Sequence, residues 1–150
     1  MAAQSFRAGV VMIVRRDDGR VLACERADAP GSWQLPQGGL DTGEAPVEAA
    51  WRELAEETGL TATEARLVSE LPEWIAYEWP SELDVGKFGK AVRGQVQKWF
   101  LFGVVDEAAV PVVDGREFRD WTWIDPHELV HAVIPWRREA YQRAFSRLLP

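Results

Sequence analysis

Apolar runs along the chain predict the extended segments AGVVMIVRR, RVLACER, ARLVSELPEWIAYEW, QVQKWFLFGVV and WTWI. The first two flank the turn signal DDG at 17–19, which predicts a β-hairpin. The third segment is interrupted at Pro72. The fourth alternates between polar and apolar residues and then becomes fully apolar, so it is the strongest strand candidate.

Other segments have the pattern of helices and loops. A helix is predicted from about Pro46 to Thr58, because proline suits a first turn and Gly59 suits a helix stop. DPHELVHAV and WRREAYQRAFSRLL predict two C-terminal helices, whereas APGSWQLPQGG and SELDVGKFGKAVRG are predicted to be mostly loop. This order predicts an α/β fold with a mixed sheet between helical layers. The length suits one domain over 1–150.

The helix predicted at 46–58 carries concentrated negative charge. Glu53, Glu56 and Glu57 have the spacing i, i+3 and i+4, so their side chains share one face and repel one another. Arg52 lies one turn before Glu56 and can hold its carboxylate. Mg²⁺ prefers oxygen ligands and often binds together with phosphates, so the glutamates could share a metal. An acidic run by itself is more often a solvated surface. The packing face is predicted to be Val47, Ala50, Trp51, Leu54 and Thr58.

Composition narrows the classes of function that fit the chain. Lys plus Arg is 17 and Asp plus Glu is 24, giving a net charge of −7, which argues against an extended nucleic-acid surface. A small phosphorylated ligand, or the end of an RNA, stays compatible with this charge. The single cysteine, Cys24, excludes an internal disulfide and a multi-cysteine metal site. No secretory leader or membrane span is evident, so a cytoplasmic location is predicted.

A longer pattern contains the acidic helix. From Gly38 to Leu60 the chain resembles the Nudix box, GX5EX7REUXEEXGU with U an aliphatic residue, and every specified position is matched. The resemblance implies an α/β/α sandwich that hydrolyses a nucleoside diphosphate linked to another group, with Mg²⁺ or Mn²⁺ as cofactor. It implies that Arg52 orients the glutamates and that Glu44 organises the loop and helix. The implied metal ligands in the box are Glu53, Glu56 and Glu57.

The remaining segments resemble one branch of the Nudix family, over about Arg7 to Phe145. They are SWQLPQGGLDTGE, EWIAYEWP, GQVQKWFLF, EFRDWTWI and IPWRREAYQRAF. That branch contains bacterial RNA 5′-pyrophosphohydrolases and the similar diadenosine polyphosphate hydrolases of bacteria and plants. The resemblance implies a substrate that is either an RNA 5′-triphosphate end or a dinucleoside polyphosphate such as diadenosine tetraphosphate. A hydrolase that sanitises nucleoside triphosphates and a non-catalytic nucleotide-binding Nudix module are the alternatives.

The branch resemblance also implies roles for residues outside the helix. Glu117 would be a further metal ligand or the general base, and it joins Glu53, Glu57 and Arg52 as the predicted catalytic residues; a surface acid is the alternative. Lys98, Arg7 and Arg26 would contact substrate phosphates, each with simple surface charge as its alternative. Gln37 and Gly38 would present backbone groups to metal or phosphate, since glycine permits close approach.

Flat side chains are the predicted recognition surface for a nucleobase. Tyr77 and Trp136 are the stacking candidates, with Arg137 beside Trp136. Core packing is the alternative for both aromatics, and it is favoured for Tyr77. Trp33 and Trp99 are assigned to packing. His127 and His131 are expected to be ordinary helix residues, and the loop carrying Lys87, Lys90 and Arg93 is a further candidate for shaping substrate choice.

Overall fold

The computed structural model describes residues 5–80 and 92–150, which form a sheet with helices on both faces. The strands are β1 (Ser5–Arg15), β2 (Val21–Arg26), β3 (Trp33–Gln34), β4 (Gln37–Gly39), β5 (Ala65–Glu70), β6 (Ile75–Glu78), β7 (Val92–Val104) and β8 (Phe118–Ile124). The helices are α1 (Pro46–Thr58), α2 (Pro126–Ala132) and α3 (Arg138–Leu148), with a 3₁₀ turn at Pro135–Arg137.

The sheet is mixed, as predicted, and its centre is the long parallel pair of β1 and β7. Their register runs from Ser5 opposite Val92 to Arg15 opposite Gly103. Strand β7 also pairs antiparallel with β5 and β6, and β1 pairs antiparallel with β4. Strand β2 pairs antiparallel with β3 and β8. The chain thereby brings β4 and the early part of β7 to opposite edges of β1.

The predicted hairpin of β1 and β2 is limited to its turn. Arg15 opposite Val21 is the registered pair between them, and Arg16 N–H donates to the Arg20 carbonyl at 2.9 Å. Beyond the turn the strands separate, because β4 pairs with β1 at residues 9–11 and β3 pairs with β2 at Cys24 and Glu25, on the edges that a longer hairpin would need. Long-range pairing therefore overrides the local turn signal.

The alternation along β1 divides the core between two sheet faces. Val10, Met12 and Val14 pack in the cluster that contains Leu54 of α1. Val11 and Ile13 pack in the cluster that contains residues of α2 and α3, among them Tyr141. Successive strand side chains point to opposite faces, so one strand supplies both cores. The α/β/α sandwich is confirmed.

Helix α1 begins and ends where the sequence predicts. Pro46 occupies its first turn, and Gly59 ends it in the left-handed conformation (φ 71°), with its N–H donating to the Ala55 carbonyl at 2.9 Å. The predicted packing face is confirmed, with Ala50, Leu54 and Thr58 fully buried and Val47 and Trp51 packed partly against the same cluster. Because α1 is anchored on this face, Glu53 and Glu57 are directed toward β4.

Several other predictions can be compared directly with the elements. The two C-terminal helices, the breaks around Pro72, and the strands at QVQKWFLFGVV and WTWI are confirmed. The segment predicted as mostly loop at APGSWQLPQGG also contains the short strands β3 and β4. Arg93 was predicted in a loop but lies in β7, where its Nη2 contacts Glu78 at 3.0 Å. Lys87 and Lys90 lie outside the described residues.

Buried side chains follow the expected assignments. Trp99 is fully buried and meets Tyr141 edge to face, with ring centroids 5.3 Å apart, and Trp33 packs partly against the same cluster. Cys24 is buried as well, and this burial raises the pKa of its thiol. Of the described helices, none combines the length and apolar character needed to cross a membrane.

Candidate active site

A cavity of about 590 Å³ opens between β4, the middle of α1, the loop before β8 and the segment before α3. Eight of the residues predicted from sequence line it, and they are Arg7, Arg26, Gln37, Gly38, Glu53, Glu117, Trp136 and Arg137. These residues come from distant parts of the chain, so the fold converts scattered candidates into one site. A cavity of this size matches the range of small-molecule sites in proteins.

Two carboxyl groups, those of Glu53 and Glu117, line the cavity, and the buried carboxyl of Glu57 lies near both. Glu57 is only 3% exposed; its Oε2 accepts the Gln37 N–H at 3.1 Å, while its Oε1 is buried without a hydrogen-bond partner among the described residues. Burial, together with the adjacent carboxyl groups of Glu117 and Glu53, raises the pKa of Glu57 to about 11. Burial also raises the pKa of Glu53, and Arg52 opposes that effect. A cation would relieve this crowding of acids.

The three box glutamates differ in solvent exposure, and Glu57 is not a surface residue. The side chain of Glu56 is 59% exposed, whereas Glu53 is 14% exposed and Glu57 is buried. The three glutamates therefore form a gradient from solvent into the protein. This gradient depends on how α1 packs against β4. The spacing of the glutamates along the helix does not reveal that packing.

Arg52 binds most of the surrounding acceptors at once. Its Nε and Nη2 donate to both oxygens of Glu44, at 2.8 and 2.9 Å. Its Nη1 donates to Glu53 at 2.8 Å and to Glu56 at 3.3 Å, and its Nη2 also donates to the Gly39 carbonyl at 2.9 Å. The guanidinium lowers the pKa of Glu44 to about 2. The contact with Glu56 expected from the helical spacing is present, and Arg52 additionally ties the loop before α1 to β4.

Gly38 allows the backbone of β4 to lie directly against α1. A Cβ atom at this position would overlap the carboxylate of Glu53. Any larger residue would therefore displace Glu53 from the cavity wall. A Cβ at the next residue, Gly39, would in the same way collide with the guanidinium of Arg7. Gly38 and Gly39 therefore leave room for the Glu53 carboxylate and the Arg7 guanidinium at neighbouring points of the cavity wall.

The acidic side chains suit hard divalent cations by their chemistry. The donors are carboxylate oxygens, which Mg²⁺ and Mn²⁺ accept as ligands, and the unpartnered Oε1 of Glu57 offers one of them. Within residues 5–80 and 92–150, no group of three or more acidic, histidine or cysteine side chains is already arranged to bind one metal ion. Glu53 and Glu56 are instead held by Arg52. Metal binding would therefore reorient these two carboxylates.

The loop before β8 fixes the position of Glu117. Asp114 Oδ1 accepts the backbone N–H groups of Arg116, Glu117 and Phe118 at 3.0, 3.1 and 3.2 Å. One carboxylate oxygen thus accepts from three successive residues, and this turn places Glu117 near Glu57. The sequence signal for the turn is the pair Asp114–Gly115, which is typical of such loops.

Arginines line the cavity together with the carboxylates. Arg7, Arg26 and Arg137 are the predicted ones, and Arg116 is a fourth that sequence reasoning missed. Arg26 is held by a two-point contact with Asp28, at 2.9 and 2.8 Å. Arg116 could have been found from its position next to Glu117, whereas Asp28 gave no separate signal.

A buried polar cluster forms the wall next to Trp136. Arg137 is 7% exposed, its Nη1 donates to Gln34 Oε1 at 2.7 Å, and its Nε donates to Tyr77 Oη at 3.1 Å. Gln97 Nε2 donates to Gln95 Oε1 at 2.7 Å. Gln34 and Gln95 line the cavity and were missed, because glutamines in strands carry no functional signal in sequence.

Two predicted substrate contacts lie elsewhere. Lys98 is on the face of β7 that carries Phe100, and its Nζ donates to the Pro72 carbonyl at 2.9 Å and lies 3.4 Å from Glu70. The alternation of β7 points it away from the cavity wall formed by Gln95, so a phosphate contact is not supported. Tyr77 packs against the core and holds Arg137, so it supplies no stacking surface to the described cavity.

Comparison with known proteins identifies the family. Residues 5–144 match the family described as the NUDIX domain. The chain is 42% identical over 146 residues to an RNA pyrophosphohydrolase of Cereibacter sphaeroides, with 95% of this chain and 88% of that protein covered. It is 35% identical over 150 residues to Nudix hydrolase 25 of Arabidopsis thaliana, with 94% and 85% covered.

Solved structures with lower identity share the fold. The chain resembles the E. coli dihydroneopterin triphosphate pyrophosphohydrolase with a TM-score of 0.77 at 23% identity, over 95% of this chain and 97% of the other. It resembles a binary complex of a C. elegans Ap4A hydrolase with a TM-score of 0.72 at 20% identity, over the same shares. Together with the family match over nearly all of its length, these likenesses lead to one conclusion: the chain belongs to the Nudix family.

Proposed function

We propose that this chain is a metal-dependent pyrophosphohydrolase that cleaves 5′-polyphosphate chains. The observation that carries the proposal is the buried carboxyl of Glu57, which has one oxygen without a hydrogen-bond partner among the described residues. It lies near Glu53 and Glu117, and these two residues line a cavity together with several arginines. Carboxylates and guanidinium groups around one cavity fit a polyphosphate bound together with Mg²⁺ or Mn²⁺. The activity would belong to one domain over 1–150, working in the cytoplasm.

The carboxylates would have two roles, metal binding and proton transfer. Glu53, Glu56 and Glu57 would hold the cations, Gly38 would offer its backbone beside them, and Glu117 would be a further ligand or the base that takes a proton from water. When bound, such cations neutralise phosphate charge and make water more acidic. Arg52 would keep Glu53 oriented through the contacts it makes with Glu44 and Gly39.

The arginines would bind and orient the phosphate chain. Arg7, Arg26 and Arg116 line the same cavity as Glu53, and a guanidinium fork matches the geometry of phosphate oxygens. Arg26 would exchange its contact with Asp28 for substrate oxygens. Orientation of this kind lowers the entropy cost of reaching the transition state.

The preferred substrates are RNA 5′-triphosphate ends, which would lose pyrophosphate, and dinucleoside polyphosphates such as diadenosine tetraphosphate. The name of the Cereibacter sphaeroides relative supports the first, and the name of the C. elegans structural neighbour supports the second. The net charge of −7 favours contact with only the first one or two nucleotides of an RNA. A hydrolase of nucleoside triphosphates is the alternative enzyme, and a non-catalytic binding module is disfavoured because Arg52 and the box glutamates are all present.

A side-by-side assay tests the proposal. The protein would receive 5′-triphosphorylated RNA, diadenosine tetraphosphate and a nucleoside triphosphate, each with Mg²⁺ and with EDTA, and kcat/KM would be compared. We expect Mg²⁺-dependent turnover, with RNA giving pyrophosphate and a 5′-monophosphate end. Turnover confined to the nucleoside triphosphate would favour the alternative enzyme. Binding without turnover of any substrate would reject catalysis.

An Arg52→Lys variant should lower kcat/KM about a hundredfold, the size expected when a catalytic group moves by roughly 1 Å. Lysine keeps the charge but cannot donate to Glu44, Glu53 and Gly39 from one planar group. The affinity for Mn²⁺, measured by titration calorimetry, should fall in parallel. Arg138→Lys, at an exposed position on α3, is the matched control. Unchanged kinetics and Mn²⁺ affinity in Arg52→Lys would remove Arg52 from the site.

A further inference from the structure

The cavity contains an ion pair between Arg26 and Asp28, two residues that both line it. Arg26 Nε donates to Asp28 Oδ1 at 2.9 Å, and Arg26 Nη2 donates to Asp28 Oδ2 at 2.8 Å. A guanidinium binds two phosphate oxygens through the same kind of two-point contact. The carboxylate of Asp28 therefore occupies donor groups of Arg26 that a phosphate group would use.

The loop that carries Asp28 is anchored close to Arg26. The Arg26 N–H donates to the Ser32 carbonyl at 2.9 Å, and the Ala27 N–H donates to the Glu117 carbonyl at 2.8 Å. These bonds close the loop on β2 and tie it to the segment before β8. Because the carboxylate belongs to the same short loop, its effective concentration at Arg26 stays high in the absence of ligand.

Glu25 fixes the far side of the same loop. It is only 7% exposed, and its Oε2 accepts the Gly31 N–H at 2.8 Å. Arg119 Nε holds the other oxygen of Glu25 at 2.9 Å. The loop is therefore built to keep its shape, and a ligand that takes Arg26 has to draw the arginine side chain away from Asp28.

The contact between Arg26 and Asp28 can be broken at small cost. The side chain of Asp28 is 68% exposed and that of Arg26 is 30% exposed. Ion pairs with this exposure are weak, because water screens both charges. A phosphate group can therefore displace the carboxylate, but breaking the pair lowers the apparent affinity of every ligand that uses Arg26.

We propose that Asp28 is an internal competitor for Arg26. Its carboxylate occupies the guanidinium until a phosphate group displaces it, and it takes the guanidinium back when product leaves. The inference rests on the proposed function, because it concerns one arginine of that site and the phosphate chain it would bind. Asp28 is then a positioning residue that acts through Arg26 and limits how tightly both substrate and product are held.

Binding of inorganic pyrophosphate tests the inference without turnover. Titration calorimetry in EDTA would compare the wild-type protein with Asp28→Asn, which keeps the size of the side chain and removes its charge. We expect Asp28→Asn to bind pyrophosphate about fivefold more tightly, the size expected when an exposed ion pair no longer has to be broken.

Asp18→Asn is the matched control. Asp18 makes the same kind of contact with the arginine two residues later, since Arg20 Nε donates to Asp18 Oδ2 at 2.8 Å. That pair lies in the turn between β1 and β2, and neither residue lines the cavity. Asp18→Asn should therefore bind pyrophosphate as the wild-type protein does.

Kinetics supply a second readout. With excess Mg²⁺ and 5′-triphosphorylated RNA, Asp28→Asn should lower KM by a similar factor without raising kcat, because substrate and transition state gain equally. The inhibition constant of pyrophosphate should fall in parallel. A side chain with only a structural role would not lower either constant when removed.

A double-mutant cycle assigns the effect to Arg26. Arg26→Met removes the guanidinium, so Asp28 then has no group to mask. Asp28→Asn should therefore change the pyrophosphate affinity of Arg26→Met very little, although it strengthens binding in the wild-type background. An equal gain in both backgrounds would mean that Asp28 only repels anions in general, and the inference would be wrong.

Other outcomes also overturn the inference. If Asp28→Asn binds pyrophosphate equally well or more weakly than the wild-type protein, then Asp28 does not compete for Arg26. Absence of measurable pyrophosphate binding in both proteins would count against it in the same way. Tighter binding by Asp28→Asn without turnover of any polyphosphate would reject the proposed function and leave the competition supported. Turnover by the wild-type protein with unaltered pyrophosphate binding in Asp28→Asn would do the reverse.

Discussion

A Glu57→Gln variant should fold as well as the wild-type protein and lose nearly all turnover. Glu57 is buried, one of its oxygens has no hydrogen-bond partner within residues 5–80 and 92–150, and the carboxyl group of Glu117 lies near it. Glutamine has almost the same shape and carries no charge, so the protein without metal exchanges a crowded acid for a neutral amide. The amide keeps an oxygen to accept the Gln37 N–H. Stability without metal should therefore be unchanged or slightly higher.

The same substitution should strongly impair catalysis, although it leaves stability intact. An amide nitrogen is not a ligand for a hard cation, so the Glu57→Gln variant should bind Mn²⁺ more weakly. Its kcat/KM should fall at least about a hundredfold, as expected when one group that stabilises developing charge is lost. Thermal unfolding with and without Mn²⁺ gives a readout that does not need substrate. Mn²⁺ should raise the Tm of the wild-type protein by mass action and leave that of Glu57→Gln almost unchanged.

Glu139→Gln, at an exposed position in the first turn of α3, is the control for the loss of one carboxylate. It should keep both turnover and the response of Tm to Mn²⁺. If Glu57→Gln hydrolysed substrate as fast as the wild-type protein, or kept the full stabilisation by Mn²⁺, then Glu57 would not be a metal ligand. A marked loss of stability in EDTA would show that the carboxylate has a structural role instead.

A Glu117→Gln variant should lower kcat by about 10²–10⁴-fold, the range for removal of a positioned acid or base. The loop should keep its conformation, because Asp114 holds backbone N–H groups that the substitution leaves in place. The effect should therefore be chemical and not structural.

Mn²⁺ affinity separates the two roles considered for Glu117. If Glu117 is a ligand, the variant should bind Mn²⁺ more weakly and regain part of its rate at high metal concentration. If it is the base, Mn²⁺ affinity should be close to that of the wild-type protein while kcat stays low. A rate equal to that of the wild-type protein would remove Glu117 from the mechanism. Glu139→Gln again serves as the control.

The sequence by itself determined the elements that depend on neighbours along the chain. Pro46 and Gly59 set the ends of α1, and its apolar spacing set the face that packs. The partners of Arg52 lie within 13 residues, so one helix and the loop before it bring them together. The Nudix box is readable for this reason, since its chemistry is organised by local spacing.

Tertiary structure decided what depends on distant segments. It placed Lys98 on the wrong face for the cavity, buried Glu57 below Glu53, and added Arg116 and Gln95 to the lining. The clearest case is Arg137, whose contacts with Gln34 and Tyr77 span 103 and 60 residues of sequence. No local pattern encodes such a contact, because the strand order and the packing of the segment before α3 bring these side chains together. Which acids and which polar side chains are buried follows from that packing.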